Sequence, residues 1–156
     1  MLRAAEAAIV PAWGRAGVSA RLHFYFYMPA VALVVDDSML IRYTVSRLLE
    51  KHGFTVESAG NGVDALEILK HVRPDLIVTD LQMPTMSGRE LIAAVKSKPE
   101  TAQIPIIIIA SRSSDSKEAE KLANFFVYKD IDIEEQLDKA VKALRKTSAK
   151  KHSATK

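Results

Sequence analysis

The stretch Val31-Ala-Leu-Val-Val-Asp36-Asp37-Ser38 decides the fold: five apolar residues, the length of a strand, stop abruptly at two carboxylates and a hydroxyl suited to capping a helix. Three further runs repeat the pattern. Leu76-Ile-Val-Thr79 stops at Asp80, Ile106-Ile-Ile-Ile-Ala110 at Ser111, and Phe125-Phe-Val-Tyr128 at Lys129. Open parallel α/β sheets gather ligands at the carboxyl ends of their strands, so these residues, distant in sequence, would meet at one end of the sheet.

Helical patterns fill the intervals. Ser38 can cap a helix that shows Ile41, Val45, Leu48 and Leu49 on one face and that Gly53 ends. Residues 54–57 then read as a short second strand. Asn61-Gly62 opens a helix with Val63, Leu66 and Leu69 on one side, stopped by Arg73-Pro74. Ser87 with Glu90 forms a capping box ahead of Leu91, Ile92 and Val95; Asp115 with Glu118 repeats it for a short fourth helix, and Asp132 with Glu135 for the last. That last helix carries the stripe Ile133, Leu137, Ala140, Val141, Leu144. Strict alternation of five strands and five helices indicates βαβ units in a parallel sheet. Strands 1, 3 and 4 are apolar almost throughout, as strands covered on both faces must be, whereas residues 54–57 alternate like an edge strand. Right-handed crossovers favour a doubly wound order 2-1-3-4-5, which puts Asp36, Asp37 and Asp80 in the crevice between strands 1 and 3.

With 156 residues, 48% of them hydrophobic, the chain suits one globular domain with extensions. Absence of cysteine excludes disulfides, thiolate metal sites and cysteine nucleophiles. No apolar run approaches the ~20 residues of a membrane span, so a soluble, cytoplasmic protein with no membrane partner is expected. The net charge of +3 suggests a nucleic-acid binder until the charge is located: residues 1–27 carry +2 and residues 143–156 carry +5, leaving −4 for residues 28–142. The domain is acidic and its ends are basic, so no direct nucleic-acid contact is expected of it. Three segments follow: residues 1–27, a disordered leader or a mis-called start ahead of Met28; a domain over 28–146; and a basic, disordered tail over 147–156.

Three clustered carboxylates repel one another by roughly 3 kcal/mol per pair at ~5 Å and an effective dielectric of ~20, so a counter-charge is required. Hard oxygen donors, few in number and without a nearby His or Cys, suit Mg²⁺ or Mn²⁺ better than calcium or zinc. Lys129 would add a positive charge aimed at a phosphoryl oxygen, and an aspartate nucleophile beside a metal and a lysine is an established form of covalent phosphoryl chemistry.

Taken together, Val34-Val-Asp36-Asp37-Ser38, Thr79-Asp80-Leu-Gln-Met-Pro84 with Ser87-Gly88, and the late Lys129 resemble the receiver domain of bacterial two-component response regulators, over residues 29–146. The resemblance implies a flavodoxin-like fold and an Asp80 that takes a phosphoryl group from a sensor histidine kinase, a phosphotransfer protein or a small phosphodonor. It further implies Mg²⁺ held by Asp37, by Asp36 mainly through water, by Asp80 and by the backbone carbonyl of Gln82, with Lys129 on the phosphoryl group. The phosphorylated state would alter binding of a downstream protein; self-phosphorylation and self-dephosphorylation at Asp80 are implied, not conventional enzyme turnover.

Three departures stand out. Where the family carries its switch hydroxyl, this chain has Ala110, with Ser111 next to it; only one of the two can face Asp80, because successive strand side chains point oppositely. Phe126 takes the place of the family's rotating aromatic residue. Asp130 replaces the usual proline after the lysine, and the segment 111–129 is short, compressing the fourth helix.

Each piece also has a plainer reading. Paired aspartates after a strand commonly serve as turn and cap residues, and a single lysine is commonly a solvated one. A pseudo-receiver that binds partners without phosphate is the alternative favoured by Ala110 and Asp130. An aspartate-nucleophile phosphatase would need an acid two residues after Asp80, where Gln82 stands, and an acidic loop after strand 1 would repel a flavin phosphate.

Overall fold

The computed structural model describes residues 29–112 and 116–153. Five strands form one parallel sheet: β1 (Val31–Val35), β2 (Thr55–Ala59), β3 (Leu76–Thr79), β4 (Ile106–Ala110) and β5 (Phe125–Tyr128), in the order β2-β1-β3-β4-β5. The helices between and after them are α1 (Met39–Lys51), α2 (Gly62–Leu69), α3 (Gly88–Ser97), α4 (Ser116–Ala119) and α5 (Ile133–Ser153). This is the doubly wound, flavodoxin-like sheet expected from the sequence.

Alternating side chains along the strands build two cores. Leu33, Val35, Ile77, Ile106 and Ile108 face Ala65 of α2, Leu91 and Val95 of α3 and Ala119 of α4. Ala32, Val34, Val78, Ile107 and Ile109 face Val45 and Leu49 of α1 and Leu137 and Val141 of α5. Burying each such side chain contributes about 1.5–3 kcal/mol, which is why the central strands carry no polar residue before their last position. β2 is the partly exposed edge strand, as its alternation suggests.

Caps fall where the sequence puts them. Ser38 accepts from Ile41 N, Asn61 from Asp64 N, and Ser87 and Glu90 complete a reciprocal box. Asp132 Oδ1 accepts from Glu135 N at 3.0 Å. Gly53 takes φ +84° at the end of α1, a conformation in which a Cβ would be strained. The cap proposed for Asp115 and the leader over residues 1–27 lie outside the described residues.

The fourth helix is as short as expected, a single turn continued by a 3₁₀ turn, Glu120–Leu122. Two boundaries differ from expectation. β2 begins one residue later, because Phe54 N is spent on Leu49 O at the end of α1, and it reaches Ala59. The basic end, expected to be disordered from residue 147, continues α5 to Ser153. That stretch lacks Gly and Pro, Ala and Lys favour helix, and its cations suit the negative end of the helix dipole. Arg145 marks where α5 leaves the body, donating to His52 O with its guanidinium 5.6 Å from the centre of the Phe54 ring. Among the described residues no helix is long and apolar enough to cross a membrane.

Candidate acidic phosphoacceptor site

The site is assembled by two neighbouring strand ends. Asp80 N donates to Val35 O at 2.9 Å and Asp36 N to Ala59 O at 3.2 Å, so the chain leaves β3 and β1 side by side. One carboxylate oxygen each from Asp36, Asp37 and Asp80 lies within 4.8 Å of the others. Asp36 and Asp80 are buried and Asp37 is exposed, giving the cluster a solvent-facing mouth.

Lys129, from the end of β5, reaches between the buried pair: Nζ is 2.8 Å from Asp36 Oδ2 and 3.0 Å from Asp80 Oδ2. Burial alone would lower the lysine's proton affinity; its contacts with the two carboxylates outweigh burial and hold its pKa above the ordinary value. Asp80 moves upward, principally through burial, with Asp36 adding to the rise and Lys129 opposing it. Its Oδ1 accepts from Leu81 N at 2.7 Å.

Asp36 Oδ1 accepts from Ser38 N at 2.8 Å. Asp36 Oδ2 is buried without a properly angled hydrogen bond despite its 2.8 Å ion-pair distance to Lys129. A buried carboxylate lone pair left this way, next to two more hard oxygen donors, fits a divalent cation. A cleft of about 410 Å³ opens beside the cluster, lined by Asp37, Gln82, Met83, Pro84, Ser87 and Arg89, among others.

The loop from β3 into α3 holds Asp80 by close backbone contact. A Cβ on Gly88 would lie 1.8 Å from Asp80 O and 2.9 Å from Leu81 Cα, while Gly88 N donates to Leu81 O at 2.8 Å. Only glycine fits there. Thr79 Oγ1 donates to Asp80 O at 2.9 Å, fixing the same peptide from the other side.

Of the predicted site residues, the structure brings Asp36, Asp37, Asp80 and Lys129 together and puts Gln82 on the adjoining cleft. Ala110 is the buried last residue of β4, in register with Tyr128, and its carbonyl accepts from Lys129 N at 3.0 Å. It belongs to the same apolar cluster as the half-buried Phe126; Ser111 is exposed beyond the strand. Phe126 stacks at a tilt on Tyr128, ring centres 4.9 Å apart, and Tyr128 donates to Glu120 Oε1. Asp130 Oδ2 lies 3.4 Å from its donor, Arg112 N.

Two contributors escape the sequence reading. Arg42 Nη1 donates to Asp36 O at 2.6 Å, bracing the first acidic loop from α1; its position four residues after the Ser38 cap was the available signal. Thr85 has φ +70°, which no local pattern announces for a β-branched residue.

A parallel sheet of this order with an acidic crevice between β1 and β3 and a lysine from β5 is the arrangement that the resemblance to receiver domains implies. The response regulator receiver domain model matches residues 32–142, and the chain belongs to that family, the receiver domains of two-component systems. It is 35% identical over 124 residues to response regulator MprA of Mycobacterium sp. (strain KMS), covering 78% of this chain and 53% of that protein. The chain thus spans about half the length of the curated relatives it matches. Among solved structures it resembles chemotaxis protein CheY4 of Vibrio cholerae (33% identity, TM-score 0.67, 74% of this chain and 98% of that one). It also resembles response regulator TrrA of Thermotoga maritima in complex with Mg²⁺-BeF (30% identity, TM-score 0.65, 74% and 98%).

Proposed function

We propose that Asp80 is the phosphoacceptor of a two-component phosphorelay. The observation that carries this reading is the meeting of three carboxylates within 4.8 Å around a lysine that touches two of them. A carboxylate oxygen of Asp80 attacks phosphorus, the bond from phosphorus to a donor histidine nitrogen breaks with its electrons going to the imidazole, and an aspartyl phosphate remains. Asp37, Asp80 and the Gln82 carbonyl would hold Mg²⁺, with Asp36 acting mainly through water. The ion, when bound, supplies charge neutralisation for the phosphoryl oxygens. Lys129 exchanges its contact with Asp80 for one with the phosphoryl group, and Gly88 keeps the Asp80 peptide from shifting as charge arrives.

The donor is a sensor histidine kinase or a phosphotransfer protein. Met39, Leu40 and Tyr43, exposed on the first turns of α1 directly after Asp37, supply an apolar rim on which such a protein can seat. The phosphorylated state alters binding of a downstream protein, in the cytoplasm and without direct nucleic-acid contact. With a methyl group at Ala110, the link from phosphoryl group to Phe126 lacks one hydrogen bond, worth about 0.5–3 kcal/mol, so the response is shallower than a hydroxyl would give.

Incubation with Mg²⁺ and acetyl phosphate, followed by intact mass measurement, tests the assignment. One added phosphoryl group, absent from Asp80→Asn, is expected; no mass gain by the folded wild-type protein rejects it.

A further inference from the structure

The loop that carries Asp80 and Gln82 takes its shape from outside the acidic cluster. Thr85 is the only non-glycine among the described residues with positive φ, and Met86 N donates across it to Pro84 O at 2.8 Å. A three-residue turn with positive φ is the rarer and more strained kind, and strain of this sort persists only where neighbours over-determine it. Gly88, packed on the Asp80 peptide, fixes one end. The other end rests on α2. A Cβ at Gly62 would lie 2.6 Å from Met86 Cγ, 2.9 Å from its Sδ and 3.0 Å from its Cβ, so the Met86 side chain occupies the space that any other residue at 62 would need. Two residues earlier, a Cβ on Gly60 would meet Arg42 Nη1 at 3.6 Å, the same atom that donates to Asp36 O. The turn over residues 60–62 therefore touches the supports of both halves of the site while contributing no charged group to it.

We propose that Gly62 is a positioning residue: its bare α-carbon is the seat for Met86, and Met86 so seated holds the turn at Thr85 that sets Asp80 and Gln82 against Asp36 and Asp37. The consequence for metal affinity rests on the functional reading above. The placement of the loop does not.

The experiment compares wild type, Gly62→Ala, Met86→Ala and the double variant, first by backbone amide chemical shifts of the ion-free proteins, then by Mg²⁺ titration. Gly62→Ala should shift the amides of residues 81–87 and weaken Mg²⁺ binding by about 10-fold, the usual scale for groups that orient metal ligands. In the double variant, Met86→Ala removes Cγ and Sδ, the two nearest atoms, and leaves only the Cβ at 3.0 Å, so its affinity should lie close to that of Met86→Ala alone; independent structural damage would instead multiply. Unmoved loop amides in Gly62→Ala, or multiplying effects, overturn the proposal. Should Gly62→Ala not fold, Met86→Ala decides, since it empties the seat without adding an atom: unchanged loop amides then refute it. Failure of the functional reading looks different, as no Mg²⁺ response in any of the four proteins, and the ion-free shifts still decide the seat.

Discussion

Replacing Asp80 with asparagine should stabilise the ion-free protein. At an effective dielectric of ~20 the Asp36 carboxylate, within 4.8 Å, repels Asp80 by about 3.5 kcal/mol and Lys129 at 3.0 Å attracts it by about 5.5 kcal/mol, while the exposed Asp37 is screened by solvent. Removing the charge therefore gives up about 2 kcal/mol of net attraction but relieves the cost of holding a buried carboxylate ionised, several kcal/mol, which is what chiefly raises the Asp80 pKa. The net gain is about 2 kcal/mol. Asparagine is the same size and its Oδ1 can still accept from Leu81 N, so no repacking offsets the gain. Urea titration in EDTA should show a midpoint higher by about 1 M for a small domain with a typical slope. Saturating Mg²⁺ should narrow or reverse the order, because stabilisation by a ligand grows with its affinity and the wild-type site offers one more anionic donor. A variant no more stable than wild type in EDTA would refute the electrostatic account of the cluster.

Two further outcomes follow from the same geometry. Because Asp80 has a raised pKa in the folded state, the folded protein binds that proton more tightly than the unfolded chain, so its contribution to stability is greatest at low pH and is lost as pH rises through the raised value. The stability gap between Asp80→Asn and wild type in EDTA should therefore shrink as pH falls from neutrality toward the ordinary carboxylate range, which thermal midpoints across that range would measure; a constant gap contradicts the shift. Gly88→Ala, whose Cβ would start 1.8 Å from Asp80 O, should cost about 3 kcal/mol through overpacking and the displaced start of α3, and should slow phosphorylation from acetyl phosphate. A midpoint within experimental error of wild type would show that the loop yields more freely than its backbone contacts imply.

Strand order and the acidic trio were readable because they rest on rules that act along the chain. Four apolar runs ending in charged or hydroxyl-bearing residues, with capped helices between, leave few topologies, and three carboxylates with one lysine demand a common counter-charge. What could not be read depends on contacts made across the fold. Ala110 and Ser111 are neighbours in sequence, and pairing with β5 is what buries the first and leaves the second exposed. The extension of α5 carries no stop signal to misplace; a high density of lysine resembles a solvated tail until helix propensity is weighed against it. Met86 on Gly62 joins residues 24 positions apart, and neither motif announces the other.

Three acids and the ammonium of Lys129 give the cluster a formal charge of two negative units. A bound divalent ion would bring that sum to zero, and exchanging an aspartate for a doubly ionised aspartyl phosphate would lower it by only one. Seen from a Debye length away, about 8 Å in physiological salt, the message is a single elementary charge behind a screen. A protein that reads such a change would consequently have to touch the surface beside the site, since almost nothing of it carries through solvent.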